Sequence, residues 1–225
     1  MKSKKPLSGG TKDGYIFILP AFFYMLLVLG YPLVYNLVLS FKNVDVKNFT
    51  KGGSVFVGFE NYIHLFNDDT FLLVLRNTFI FTIACLVFQF TIGFAFAMFF
   101  NQKFKVSGPI RGMILVSYMM PMSVTGLLGK NIFANDGLVN DLLSKIGING
   151  PEWLVTGATA LIAVIIMNCW VGIPFNMLLL MSGLTSVSQD VYESASIDGA
   201  NWVEKFVFIT LPLMKGSIMA VLMLG

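Results

Sequence analysis

The stretch Tyr192 to Pro212, YESASIDGANWVEKFVFITLP, gathers three carboxylates, Glu193, Asp198 and Glu204, beside Lys205 in a chain that is otherwise strongly apolar. Carboxylates spaced this way hold no metal-ligand pattern, and no histidine or cysteine lies near them. Their chemistry is charge pairing with a basic group elsewhere, or capping of helix ends. A second set of polar residues is neutral and scattered through apolar runs: Gln89, Tyr118, Ser123, Asn168, Trp170 and Asn176. Amides, hydroxyls and aromatic faces bind an uncharged polyhydroxylated solute by hydrogen bonding and stacking. They also serve for helix–helix hydrogen bonding with no solute contact. Asn168, Gly172 and Asn176 share one helix face by their four-residue spacing. His64, the sole histidine, stands apart in a loop. Gly126-Leu127-Leu128-Gly129-Lys130-Asn131 superficially looks like a phosphate loop, but it lacks the four-residue gap between glycines and the Ser or Thr after lysine. Cys85 and Cys169 both fall in apolar runs and read as small fillers.

The elements that position these residues follow from composition. Of 225 residues 56% are hydrophobic and only 12% charged, with a mean hydropathy of +0.77. Too little charge is present to cover a soluble domain of this size, so the chain is an all-α integral membrane protein. The net charge of +3 is modest and contains no basic block suited to nucleic acid. A spanning helix needs roughly 20 mostly apolar residues. Residues 15–41, 77–100, 112–129 and 158–184 meet that length, and none of them contains Asp, Glu, Lys, Arg or His. The first is too long for a signal-peptide core and reads as a retained helix. A further apolar run starts near Leu213 and is still apolar at Gly225, as though the chain stopped inside a fifth helix. Pro121 and Pro174 are expected to kink their helices.

Lysine and arginine near the spans set the orientation. Lys2, Lys4, Lys5 and Lys12 precede the first span, and Lys103, Lys105 and Arg111 lie between the second and third. Both segments are therefore placed in the cytoplasm, giving a cytoplasmic N-terminal segment 1–13 and a multi-pass membrane domain 14–225. The loops 42–76 and 131–157 are placed outside, and by alternation residues 186–212 return to the cytoplasm. Within that last segment, Ser186 with Gln189 has the capping-box pattern, Asp198-Gly199 is a turn signal, and Asn201 with Glu204 forms a second box. The expectation is a short helical hairpin, suited either to docking a soluble partner or to connecting two spans.

The spacing of this segment resembles the EAA loop of ABC importer permeases: Glu-Ala-Ala, three residues, Gly, nine residues, then Ile-x-Leu-Pro. Glu193-Ser194-Ala195, Gly199 and Ile209-Thr210-Leu211-Pro212 fall at those positions, with Ser194 replacing an alanine. Asp198-Gly199-Ala200 is similar to the carbohydrate branch. The likeness extends through Leu19-Pro20, Tyr31-Pro32, Ser40-Phe41-Lys42, Val57 to Tyr62, Leu65-Phe66, Phe71, Asn77-Thr78, Phe133, Asp136 to Asn140 and Trp153-Leu154.

The resemblance implies a type I permease bundle with four complete spans and a truncated fifth of an expected six. It implies a sugar or polyol importer in the cell membrane, in which this chain binds no cofactor and is no enzyme. ATP and Mg would be used by two ATP-hydrolysing subunits, beside a second related permease, an extracytoplasmic solute-binding protein and membrane lipid. Glu193 would pair with a basic residue in the ATPase cleft, Gly199 would be the hinge, and Ala195 and Ala200 would permit close backbone approach. Gln89, Tyr118, Asn168, Trp170 and Asn176 are the expected solute pathway. The rival reading is an ion-gradient-driven secondary transporter of small solutes, distinguished by dependence on an ion gradient rather than on ATP. A membrane-embedded enzyme would need catalytic groups converging at one depth, and no such set is visible.

Overall fold

The computed structural model describes residues 11–44, 54–102 and 104–224. Lys2, Lys4, Lys5 and Lys103, which entered the orientation argument, lie outside them. The chain divides into two units, Met1–Val74 and Leu75–Gly225.

In the first unit, α1 (Thr11–Met25) runs through the π-helical turn Leu26–Gly30 into α2 (Tyr31–Ser40). Pro32 explains the turn: proline has no N–H to donate, and its ring would meet the carbonyl four residues back, at Val28. The widened turn lets the helix continue, so Tyr15–Ser40 forms a 26-residue apolar rod whose side chains are almost all exposed. Lipid is the natural solvent for such a surface.

A clasp closes the end of this rod. Strand β1 (Lys42–Asn43) pairs antiparallel with β2 (Val55–Phe56), and Gly58 turns the chain at a φ of +59°. Helix α3 (Glu60–Phe66) then brings Asn61 and Tyr62 back to α2. The Asn61 amide donates to the carbonyls of Ser40 at 2.9 Å and Lys42 at 3.0 Å, and the Tyr62 hydroxyl meets Ser40 Oγ at 2.6 Å. Phe41 sits among the rings of Phe56, Phe59 and Tyr62. These contacts give the run Val57 to Tyr62 its structural meaning.

The second unit is a helical bundle. Helix α4 (Asp69–Asn101) supplies it from Leu75 onward, followed by α5 (Ser107–Tyr118), α6 (Met122–Ile132), α7 (Leu138–Lys145) and α8 (Gly157–Ser186). Then come α9 (Gln189–Ile197), α10 (Trp202–Lys205), a π-helical turn at Phe206–Thr210, α11 (Leu211–Leu213) and α12 (Lys215–Leu224). Phe94, Ala97 and Phe100 of α4, Met177, Leu180, Met181 and Leu184 of α8, and Met214 and Val221 form the core. Cys85 and Cys169 are buried around Ile165 in a smaller apolar cluster, as fillers should be.

Among the described residues three helices are long and apolar enough to cross a bilayer: Tyr15–Ser40, Asp69–Asn101 and Gly157–Ser186. The third expected span, 112–129, is instead two helices, Ser107–Tyr118 and Met122–Ile132, meeting at 93°. Pro121 is the cause, since it takes an extended ψ of 140° and starts a new helix rather than continuing the old one. Pro174, expected to act similarly, lies fully buried within the unbroken α8. The run beginning near Leu213 also breaks, with Trp202–Leu213 and Lys215–Leu224 bent by 69°.

Helices approach closely where glycine removes a side chain, the usual device where lipid gives no hydrophobic drive to association. A Cβ on Gly93 of α4 would stand 2.8 Å from Asn176 Cβ, and one on Gly183 of α8 would stand 2.5 Å from Ser217 Oγ. Gly183→Val should therefore push α12 off α8 at an overpacking cost of about 1–3 kcal/mol. The readout is a lower unfolding temperature of the detergent-purified chain. An unchanged melting curve would show that α8 and α12 can separate freely.

Candidate functional site: an amide-lined cavity and a polar hairpin

Two of the scattered amides, Gln89 and Asn176, are almost wholly buried between α4 and α8, at 5% and 2% exposure. A polar group inside a membrane bundle is costly unless it is paired, and here the pairing is mutual. Gln89 Nε2 donates to Asn168 Oδ1 at 2.7 Å, while Asn176 Nδ2 donates to Gln89 Oε1 at 3.1 Å and to the Gly172 carbonyl at 3.1 Å. The four-residue spacing of Asn168, Gly172 and Asn176 thus places two amides on one face with a gap between them. The Gln89 head group fills that gap, lying where a Cβ on Gly172 would stand. Asn176 Oδ1 is buried with no partner among the described residues.

One end of this network opens into a cavity of about 490 Å³. Gln89, Asn168 and Tyr118 line it, together with Thr125 and Lys130 of α6 and Phe175 of α8. With Asn168 Oδ1 engaged by Gln89, its Nδ2 is left as a donor. Tyr118 stacks on Phe175, with centroids 5.4 Å apart at 20°. An amide donor, a phenol and an aromatic pair are the groups that hold a hydroxylated ring. The bend at Pro121 shapes this cavity, because Tyr118 ends α5 while Thr125, Gly126 and Gly129 lie on α6. The glycines that superficially suggest a phosphate loop are therefore small wall residues.

Trp170 is not in this cavity. It lines a smaller groove of about 260 Å³ with Ser117 and Pro174, and its carbonyl accepts from Ser117 Oγ at 3.2 Å. Asn176 stands behind the wall, touching the cavity only through Gln89. Of the further lining residues, Phe175 is an apolar ring and Lys130 lies one residue past the run 112–129, so neither shows as a neutral polar group within a span; Thr125 does, and was missed. The proline break, which turns α6 toward α8, was the available clue.

The segment between α6 and α8 is held by Asn140. Its Oδ1 accepts from Trp153 Nε1 at 2.8 Å, and its Nδ2 donates to the carbonyls of Asn135 at 3.1 Å and Pro151 at 3.4 Å. Phe133 meets Trp153 edge-on at 5.5 Å.

At Val187 the chain leaves α8 in an extended conformation and enters the hairpin. The cap of α9 is Ser188, whose Oγ accepts from Asp190 N at 3.3 Å. The expected cap, Ser186, instead ends α8 and donates to the Gly183 carbonyl at 2.7 Å. Ser188 wins because its extended backbone (φ −61°, ψ 139°) frees its side chain to face the first N–H groups. Gly199 closes α9 at a φ of +81°, with Gly199 N donating to Ser196 O at 3.2 Å and Ala200 N to Ala195 O at 2.9 Å. That pair of bonds is a Schellman turn, and its two outer residues are the small Ala195 and Ala200. Asn201 and Glu204 form the reciprocal box, at 3.0 Å and 2.7 Å.

The carboxylates now separate by role. Glu204 is consumed in capping. Glu193 and Asp198 are exposed, and their side chains have no hydrogen bond or ion pair among the described residues. Ser194 is exposed beside Glu193, while Ile209 and Leu211 are half-buried and Pro212 is exposed. The second arm is anchored by Phe206, which stacks on Trp202 and meets Phe94 of α4 edge-on at 5.4 Å, and by the buried Met214.

Residues 89–225 match the family described as binding-protein-dependent transport system inner membrane component. The chain belongs to that family. It is 31% identical to the sulfoquinovosyl glycerol transport system permease protein SmoG of Agrobacterium fabrum, over 92% of this chain and 67% of that protein. Identity is also 31% to the trehalose/maltose transport system permease protein MalF of Thermococcus litoralis, over 95% and 72%. The lactose transport system permease protein LacF of Rhizobium radiobacter is 32% identical over 92% and 69%. The chain thus spans about two thirds of the length of these relatives. A crystal structure of a bacterial alginate ABC transporter in complex with alginate pentasaccharide-bound periplasmic protein has the same fold, with a TM-score of 0.74 at 22% identity. It aligns over 93% of this chain and 69% of that one. Family membership makes the chain an inner-membrane transport component rather than an enzyme, as its sequence implies.

Gln89→Met, which keeps the length of the side chain and removes its amide, should destabilise the bundle by about 1–3 kcal/mol, the usual cost of stranding buried partners. Thermal unfolding in detergent measures it. Gly172→Ala should shift the midpoint in the same direction, because the added carbon displaces the same amide. Wild-type midpoints in both variants would mean that the network adds no stability.

Proposed function

We propose that this chain is the membrane-spanning permease subunit of an ATP-driven importer of sugars or related polyols. In this reading residues 186–212 form the cytoplasmic hairpin that receives the motion of the ATPase. The observation that carries it is the state of Glu193: an exposed carboxylate without a partner among the described residues, on a helix ended by a tight glycine turn. A carboxylate presented on so compact a hairpin is available to a basic group in a cleft of a second protein. Asp198 lies at the tip, and Ala195 and Ala200 keep the turn slim. Ile209, Leu211 and Pro212 lead the second arm back toward the bundle.

The partners in this reading are two ATP-hydrolysing subunits that use ATP and Mg, a second related permease, and an extracytoplasmic solute-binding protein. The N-terminus is cytoplasmic in this reading, and the bent pair α5–α6 counts as one crossing, so that the hairpin returns to the cytoplasm. Solute passes the cavity faced by Gln89, Tyr118 and Asn168, with Asn176 supporting them from behind. Trp170, bordering a separate groove, is assigned no solute contact. The sugar names of the relatives agree with the cavity chemistry, an amide donor beside stacked rings.

Glu193→Lys reverses the charge while leaving the capping groups of the hairpin untouched. Pull-down of the tagged complete reading frame from its own membranes should recover an ATPase subunit and a second permease. In the variant the ATPase should be lost while membrane insertion is unchanged. Equal ATPase recovery in both samples would remove Glu193 from the contact. Absence of ATPase from both would overturn the importer reading.

A further inference from the structure

The two arms of the hairpin are joined by more than their turn. The Tyr192 hydroxyl and Thr210 Oγ1 are 2.9 Å apart, and Thr210 Oγ1 lies 3.2 Å from the Lys205 carbonyl. A carbonyl can only accept, so the single Thr210 proton goes to Lys205, and Tyr192 must donate to Thr210. From the other side, Lys205 Nζ donates to Ser196 Oγ at 2.7 Å, and Ser196 Oγ donates to the Tyr192 carbonyl at 2.7 Å. The bonds therefore close on themselves. The side chain of Tyr192 reaches the backbone of Lys205 through one hydroxyl, and the side chain of Lys205 reaches the backbone of Tyr192 through another.

We propose that this hydroxyl-bridged ring is the joint that makes the two arms of the hairpin move as one body, with Tyr192, Ser196, Lys205 and Thr210 as its positioning residues. Tyr192 adjoins Glu193, so the ring fixes the helix that presents the docking carboxylate. Thr210 is 4% exposed and two residues before Pro212, so it marks where the second arm is set into the bundle. A push on α9 reaches Thr210 through the Tyr192 hydroxyl directly, without passing through the Gly199 turn. Were the arms joined only at that turn, the flexible glycine would absorb the displacement. Each of the three hydroxyl protons in the ring has one acceptor, so losing any of the three hydroxyls opens it.

This inference rests on the hairpin being the element that receives the ATPase. The assembled importer, purified with its ATPase and reconstituted in lipid, is followed by hydrogen–deuterium exchange with and without trapping by ATP and vanadate. Thr210→Val keeps the shape and removes the hydroxyl, while Thr210→Ser retains it. In the wild type, trapping should alter exchange both in 189–205 and in α12. In Thr210→Val the ATPase should stay bound and exchange around Gly199 should rise roughly five-fold, as expected for one lost hydrogen bond. The response of α12 to trapping should disappear, and Thr210→Ser should restore it. A Thr210→Val importer whose α12 still responds to trapping would overturn the joint and leave the ring a purely local brace. A wild-type importer in which neither segment responds would overturn the coupling reading itself, and the ring's role with it.

Discussion

A bilayer offers no water to a stray amide, and most of this architecture follows from that constraint. Backbone groups are satisfied by helices, so the only polar groups at risk are side chains within the spans. Gln89, Asn168 and Asn176 meet most of the demand by bonding one another across α4 and α8, with Asn176 Oδ1 alone of the buried side-chain atoms left over among the described residues. Their mutual geometry then dictates where the backbones go. Gly172 must be bare because the Gln89 amide occupies its side-chain space, and Gly93 must be bare because Asn176 lies against it. The two longest helices of the second unit are thereby held at one separation and one rotation. The cavity beside them inherits its polar wall from the same bonds.

Proline is used in three ways along the chain, and the difference is one of local geometry. At Pro121 the backbone becomes extended and the helix axis turns by 93°. Within α8, Pro174 is tolerated inside the helix, its ring buried. Ahead of Pro32 and Pro212 a π turn widens the helix, so that the carbonyl facing the ring is moved aside and the chain continues. A single residue type thus breaks, rides within or merely loosens a helix according to the room its neighbours leave.

Much of this was legible in the residues. The three long spans were readable from apolar length, and the Asp-Gly turn and the Asn201–Glu204 box from cap chemistry. The likeness of residues 193–212 to an EAA loop identified the family that the comparisons also give. Two features were not legible. The start of α9 at Ser188 rather than Ser186 depends on where α8 runs out, a tertiary matter. The bent pair at Pro121 looks like one span in any hydropathy window, since hydropathy carries no direction. The cavity lining was half legible for the same reason: polar residues stand out in apolar runs, whereas Phe175 and Gly129 look like ordinary bundle residues until the bend is known.

The π turn at Phe206–Thr210 sets a limit on how this segment can vary in length. Such a turn holds one residue more than an α-helix would at that point, as a single insertion would leave it. A π turn advances by a smaller angle per residue than an α-helix, so removing one residue between 206 and 210 would restore an ordinary helix and leave Met214 and Val221 facing the core. Removing one from the regular helix that follows, where nothing absorbs the loss, would rotate every later residue by about 100°. What the shortened turn would lose is the opening ahead of Pro212, whose ring would then meet the carbonyl four residues back. This stretch is therefore where the chain can hold one residue more without disturbing the phase of the helix beyond it.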